Sequence, residues 1–460
     1  NPSAGRWTAY IWSRDSAHGG TTGRVVFGAS VARYHRFGRL STTSLTVGAG
    51  DTRSFRLSVR TPRVPGDEAG SITVAPVGQR AETVPVTLRS LAPSGSTRFS
   101  GVLTGGNGRS VVNGETEYYQ VNVPAGSPAL NASVNLADNP DNQTGAWLID
   151  PAGQAEAYQS NLLVTQSSSG QLQAQNTLGT NLHVVHPVSG RWTLAIDFAP
   201  TVSGTALSEP FTVFLNQRAP AVHATGVPHG AKINANDPAV VKIKVTNAGT
   251  APEAYFVDGR TTTETTYDLV SVTSPDTQAP LTFSDNFPEY LVPSQTTSIT
   301  AEATTDGTEP IQFDMSTPAG DPDLASGQGL DVTATATGHP LTPGEWSVLP
   351  SVVGPFTSKA ASTENTHTSM TATTKAFDPA VSSHTGDLWQ LSIGGPFTVT
   401  PVVVQPGHSA TIPVVIAPTG PAGRTVSGTL YVDDDSLALF GFLAPNANTV
   451  AAVPYTYKIK

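Results

Sequence analysis

The sequence predicts an all-β protein built as a string of tandem β-sandwich modules. Three observations predict it. First, Thr, Ser, Val, Gly and Pro dominate the 460 residues, with 43 Gly and 37 Pro against 2 Met and only 13% charged residues, a usage that disfavours helices and favours strands joined by tight turns. Second, short segments alternate apolar and polar residues with period two: SFRLSV (54–59), YYQVNV (118–123), VVKIKV (240–245) and TIPVVI (411–416). Turn residues bracket them at 48–51, 126–128, 247–250 and 406–409, the pattern of half-buried strands in sandwiches or jelly rolls. Third, the chain repeats itself. PSAGRWTAYI (2–11) returns as PVSGRWTLAI (187–196), and PGEWSVLP (343–350) is a weaker echo. Each copy is a Pro/Gly turn that delivers the chain into a strand led by Trp, so Trp7, Trp192 and Trp346 are expected to plug cores.

At the start of the chain, TTGRVVFGASV (21–31) matches VSGTALSEPFTVFLN (202–216), the segment after the second Trp copy. Nothing precedes the first copy as 99–186 precedes the second. Residues 1–37 therefore read as the last strands of a truncated jelly-roll module. An upstream segment of the same protein is the expected partner packing on residues 1–31, because isolated final strands expose an unpaired edge. Residues 38–92 read as a small fibronectin-III-like sandwich, from STTSLTVGAGDTRSFRL (41–57) and EAGSITV (68–74). The stretch 93–219 reads as a complete jelly-roll module. Residues 220–395 read as an immunoglobulin-like or jelly-roll module with long loops, in which the polar stretch SKAASTENTHTSMTATTK (358–375) is an expected surface loop or hairpin. TVTPVVVQPGHSATIPVV (398–415) and VSGTLYV (426–432) open a final fibronectin-III-like sandwich at 396–460.

Composition also excludes. The absence of Cys rules out a disulfide scaffold, Cys-ligated zinc, iron–sulfur clusters and a thiol nucleophile. No apolar run reaches the roughly 18 residues of a membrane span. The net charge of −10 is uneven: residues 1–110 carry fourteen Arg, no Lys and five acids, a net of +9, which leaves −19 for the rest. No recognition helix or aromatic–basic interleaving accompanies those arginines, so nucleic acid is not an expected partner.

Several of these segments, taken together and in this order, carry a resemblance: the two GRWT turns, GGNGRSVVNGETEYYQVNVPAG (105–126), LIDPAG (148–153), VTNAGTAPEAYFVDGR (245–260), PGEWSVLPSVVGPF (343–356), TGDLW (385–389) and GPAGRTVSGTLYVDD (420–434). They span nearly the whole chain, which resembles the C-terminal, non-catalytic region of large secreted subtilisin-like serine proteases of actinobacteria. The resemblance implies pre-peptidase C-terminal-like and fibronectin-like modules, an extracellular location, and a Ser/His/Asp protease domain upstream.

That catalytic constellation is not legible in the chain itself. The chemistry needs a nucleophilic hydroxyl, a base beside it and a carboxylate that orients the base. Asp51-Thr52-Arg53 lacks the Gly of a DTG motif, and His18-Gly19-Gly20 lacks the second His of HGTH. Ser369, in HTSMTA (367–372), has His367 where GTSMA has Gly. No catalytic residue is assigned. Metal chemistry has weak signals too. The ten His form no HxH or HExxH spacing, and His183 and His186, three apart on an expected strand, point to opposite faces. Calcium, which takes oxygen ligands, is the possible cofactor. The candidate site is Asp138, Asp141 and Asn142 in one turn with Asn139, and further acidic turns lie at Asp321/Asp323 and Asp433–Asp435.

Three functions are compatible with this pattern: a non-catalytic accessory array of a secreted subtilase that binds protein substrate or cell surface, a protomer of an extracellular assembly joined by strand addition, and a carbohydrate- or cell-wall-binding array with Trp platforms.

Overall fold

The computed structural model describes residues 5–9, 38–104, 116–137, 139–166, 172–198, 208–218, 221–279, 287–307, 310–317, 325–338, 340–352, 364–395, 399–438 and 444–460. Chain contacts divide it into two units, 1–33 and 34–460. Most of the expected truncated module at 1–37, including the surface for an upstream partner, lies outside the described residues.

The larger unit is a tandem array of β-sandwiches, and its one regular helix among the described residues is the 3-10 segment Leu388–Ile393. No described helix is long and apolar enough to cross a membrane. The first sandwich pairs two four-stranded antiparallel sheets. One runs Gly179–Val185, Ala129–Leu136, Ser208–Asn216, Thr97–Thr104; the other runs Thr116–Val123, Gly190–Phe198, Thr144–Ile149, Ala155–Ser160. Alternate residues of each strand point inward and interdigitate as one core with Phe99, Leu130, Val134, Leu148, Trp192 and Phe211.

The second and third sandwiches share a sheet. Ten strands form it, and three of them are long: Glu253–Asp268 with 16 residues, and Glu364–Phe377 and Thr425–Ala438 with 14 each. The first half of Glu253–Asp268 pairs with Thr425–Ala438, from Ala254 opposite Asp435 to Thr261 opposite Gly428. Its second half pairs with Glu364–Phe377, from Glu264 opposite Lys375 to Asp268 opposite Thr371, after a register shift that follows Arg260. One half of the sheet faces the strands Ala221–Thr225, Ala239–Thr246, Ser409–Ile416 and Val381–Ser383 across a core of Val241, Ile243, Tyr255, Ile412, Leu430 and Tyr457. The other half faces Glu289–Val292, Gly344–Val352, Ile311–Ser316 and Ala325–Gly329 across a core of Tyr290, Ile299, Phe313, Val332, Trp346 and Met370. The third sandwich is thus inserted between two strands of the second.

Strand pairing therefore runs across the expected boundary at 395/396. Ser409–Ile416 pairs along its whole length with Ala239–Thr246, and Thr449–Ile459 lies parallel to His229–Ile233. Of the stretch 358–375 expected to be a polar surface loop or hairpin, 358–363 lies outside the described residues and 364–375 lies in an interior strand. Its Ser/Thr alternation hides every second residue, with Thr366, Thr368, Met370 and Ala372 buried while Asn365, His367 and Ser369 are exposed. Thr is β-branched and suits a pleated strand, which outweighs the low-complexity look of the segment. At 38–92, where a small sandwich is expected, the chain forms two hairpin pairs, Gly38–Leu40 with Leu57–Val59 and Gly66–Val74 with Glu82–Ser90. Among these residues only Ser90 and Ala92 are buried. The second hairpin joins the first sandwich where Ala92 N–H donates to Gln120 O at 2.7 Å.

Candidate functional site

The Trp repeat is a structural device. Trp192 and Trp346 are 1% and 0% exposed, each in the core of its own sandwich. Each indole N–H donates to the carbonyl four residues back, Trp192 to Val188 at 2.8 Å and Trp346 to Thr342 at 2.9 Å. The Gly two residues before each Trp has positive φ: 149° at Gly5, 144° at Gly190 and 114° at Gly344. Only Gly adopts this backbone readily, and it lets the turn fold under the ring. Trp7 has the same Gly but is 70% exposed, so it is not the core plug expected of it.

The sequence-predicted calcium turn is only partly in view. Asp138 lies outside the described residues. Asp141 and Asn142 are neighbours that face different partners: Asn176 Nδ2 donates to Asp141 Oδ1 at 3.1 Å, while the buried Asn142 donates its amide to Glu209. Asp321 and Asp323 also lie outside the described residues. The Ser369 look-alike sits on the exposed face of Glu364–Phe377. His367 Nδ1 is 2.7 Å from Asp276 Oδ1 there, both exposed beside a shallow depression. The strand is paired on one side with Thr296–Thr305 and on the other with Glu253–Asp268 and Asp276–Ala279. Its N–H groups are committed to those ladders, so among the described residues of this strand no pair of donors converges on an oxyanion. The arrangement is an Asp–His pair on the exposed face of a sheet.

The concentrated chemistry lies where the sandwiches meet. Asp433, Asp434 and Asp435 occupy one strand and are all buried. Alternation sends Asp433 and Asp435 to one face and Asp434 to the other. Asp433 accepts from the Trp389 indole at 2.8 Å, and the same junction holds Asp258, Arg260 and Asp387. The Arg260 guanidinium, 0% exposed, bonds Asp258 through Nε at 2.6 and 2.8 Å, donates to Lys375 O at 2.9 Å and lies 3.5 Å over the Phe377 ring. Ser294 completes the Asp258 carboxylate. Burial, and then the Asp258 charge, pushes Asp387 well above the carboxylate range, and the same causes push Asp433 up to about 7.

Asp434 faces the first sandwich. Its Oδ1 accepts from Asn448 N at 2.6 Å and from Gln159 Nε2 at 2.8 Å. His183, on the strand Gly179–Val185 of the first sandwich, places Nε2 2.8 Å from Glu253 Oε1 and Nδ1 2.8 Å from Asn131 Oδ1. Asn181 Nδ2 donates to Glu253 Oε2 at 3.1 Å and to Ala251 O at 3.0 Å. One ligand-type atom from each of His183, Glu253 and Asp434 lies within 4.8 Å of the others. Burial, and then Glu253, pushes Asp434 up to about 8. For His183 burial favours the neutral ring, but Glu253 and Asp434 outweigh it and the net direction is up. The Tyr255 phenol faces the same carboxylates, and burial followed by Glu253 suppresses its ionisation. A further hydroxyl, Thr342 Oγ1, bonds Ala155 O at 2.6 Å and joins the third sandwich to the first.

By sequence alone, Asp433–Asp435 read as a solvent-facing acidic turn and His183 as an ordinary strand residue; the structure buries the three Asp and places the half-buried His183 at the same junction. The signal that could have found them is polar residues inside strand patterns. Glu253, Asp258 and Arg260 interrupt EAYFVDGR, and the three Asp extend TLYV, without the turn residues that would end a strand.

No family model matches the chain, and no curated protein matches it. Among solved structures it is similar to the M60 catalytic domain with the CBM51-1 and CBM51-2 domains of Clostridium perfringens ZmpB, at 8% identity and a TM-score of 0.17. The match covers 74% of this chain and 46% of that one.

Proposed function

We propose that the chain is a non-catalytic accessory array, a stiff β-built arm that positions the protease domain of a secreted subtilisin-like serine endopeptidase against protein substrate or a cell surface. The observation that carries the reading is the welding of the modules. The second and third sandwiches share one sheet and the continuous strand Glu253–Asp268, which runs through Arg260, and the first is bonded to both through side-chain hydrogen bonds. An arm that positions an enzyme needs fixed angles between its modules, and a large buried junction is what suppresses relative domain motion. The motifs that resemble subtilase C-terminal regions supply the same junction: VTNAGTAPEAYFVDGR contributes Asn247, Glu253, Asp258 and Arg260, and GPAGRTVSGTLYVDD contributes Asp433 and Asp434.

Peptide mapping and intact mass of the native secreted polypeptide test this reading. The expected result is an upstream sequence carrying a Ser/His/Asp protease domain, with residues 1–460 alone inert toward a protein substrate. A native polypeptide without such a domain contradicts it, as does proteolysis by residues 1–460 that Ser369→Ala abolishes. The carbohydrate-binding alternative loses two of its three aromatic platforms to the burial of Trp192 and Trp346.

A further inference from the structure

We propose that His183, Glu253 and Asp434 form a site for one divalent transition-metal ion, with Zn²⁺ the ion their donor set suits, and that this ion ties the first sandwich to the second. The tautomer of His183 is set by its neighbours. Asn131 Nδ2 donates to Arg218 O and to Asn216 Oδ1, both at 2.8 Å. A carbonyl only accepts, so the amide orientation is fixed and Asn131 Oδ1 is the atom that faces His183 Nδ1. An oxygen acceptor there requires the proton on Nδ1. In the neutral ring, Nε2 then presents a lone pair to Glu253 Oε1 at 2.8 Å, acceptor against acceptor.

A second ring proton would relieve that one contact. The approach is not that of a directed hydrogen bond, however, and both His183 Nε2 and Glu253 Oε1 lack a hydrogen-bond partner. Asp434 Oδ2, on a residue 1% exposed, lacks one too. Unpaired polar atoms this deeply buried are costly, and one cation held among the three side chains satisfies all of them together. The remaining polar atom of each is already held from outside: His183 Nδ1 by Asn131, Glu253 Oε2 by Asn181, and Asp434 Oδ1 by Asn448 and Gln159. Fixing of the tautomer and of each carboxylate by outer hydrogen bonds is how proteins orient metal ligands.

The donor set selects the ion. One imidazole nitrogen and two carboxylates suit zinc and its first-row neighbours, whereas calcium and magnesium take oxygen ligands. Two atoms each about 2.1 Å from a zinc ion stand at most about 4.2 Å apart, so a spread within 4.8 Å closes onto an ion with small side-chain shifts. The His183 side chain keeps 11% exposure, which leaves the site an entry at its rim. His183 comes from the first sandwich and Glu253 and Asp434 from the second, so the ion would act as a staple between them.

Zinc binding here requires no upstream protease, and its test uses residues 1–460 alone. The chain is stripped with EDTA, dialysed and titrated with Zn²⁺ by calorimetry, with bound metal counted by elemental analysis and Tm read with and without the ion. The expected result is one equivalent of Zn²⁺ and a rise of several degrees in Tm. The near-isosteric Asp434→Asn, and separately His183→Ala, should each weaken Zn²⁺ binding by more than about 100-fold. Far-UV circular dichroism shows which variant stays folded, and either one suffices. No stoichiometric Zn²⁺, unchanged affinity in a folded variant, or a response to Ca²⁺ with none to Zn²⁺ would overturn the proposal.

Discussion

Gly190 and Trp192 show how much one turn decides. A Cβ at Gly190 would stand 2.6 Å from Pro151 Cγ on a backbone with φ of 144°, so Gly190→Ala should cost about 1–3 kcal/mol from strain and contact together. Trp192→Ala should cost about 3–5 kcal/mol by leaving a cavity in the first core. Urea unfolding of both variants checks the pair, and loss confined to Trp192→Ala would mean the turn adapts. The position before Trp differs between the copies. Arg191 is exposed, but Glu345 is buried beside Glu289. Burial first, and then Glu289, pushes Glu345 up to about 9 from an ordinary 4.5. The folded chain therefore keeps a proton that the unfolded chain releases, and stability should fall as pH rises through the window from 4.5 to 9. Glu345→Gln, which mimics the protonated form, should flatten that slope in Tm-against-pH scans and add on the order of 2 kcal/mol at about pH 9. An unchanged slope would mean that another group carries the proton.

At the scale of the element, the long strands Glu253–Asp268 and Glu364–Phe377 are the joint between sandwiches, and Arg260 sits where their register shifts. Asp258→Asn removes the carboxylate that neutralises a fully buried guanidinium and should destabilise the protein by about 3–5 kcal/mol. Replacing Asp258 and Arg260 together by apolar residues should cost much less than either single change. A double-mutant cycle by denaturant melts reads both, and additive losses would contradict the pairing. Strands were the most legible level of the sequence. YYQVNV, VVKIKV and TIPVVI all lie in strands, Thr116–Val123, Ala239–Thr246 and Ser409–Ile416, because period-two burial writes itself into the residues. SFRLSV was legible only at its end, in Leu57–Val59. Glu364–Phe377 was missed because its buried positions are filled mainly by Thr, whose hydroxyls bond backbone carbonyls such as Thr277 O and Pro275 O. Polar letters hid an apolar role.

At the scale of the whole molecule, the sequence conveyed the class of fold and the equivalence of the Trp-led modules, but not which strands from distant segments share a sheet. Local patterns cannot reveal that 409–416 pairs with 239–246 or that 269–377 is an insertion, because pairing partners are chosen by packing. The site was hidden for the same reason. His183, Glu253 and Asp434 are separated by tens to hundreds of residues and meet only when the first sandwich docks on the second. A positioning arm must behave as one stiff body, and calorimetry of residues 1–460 reads that property. Because the second and third sandwiches share a sheet and the strand Glu253–Asp268, they should melt in a single cooperative transition, and Asp258→Asn should lower that transition without splitting it. Two separate transitions for the second and third sandwiches in the unmodified chain would contradict the stiff-arm reading.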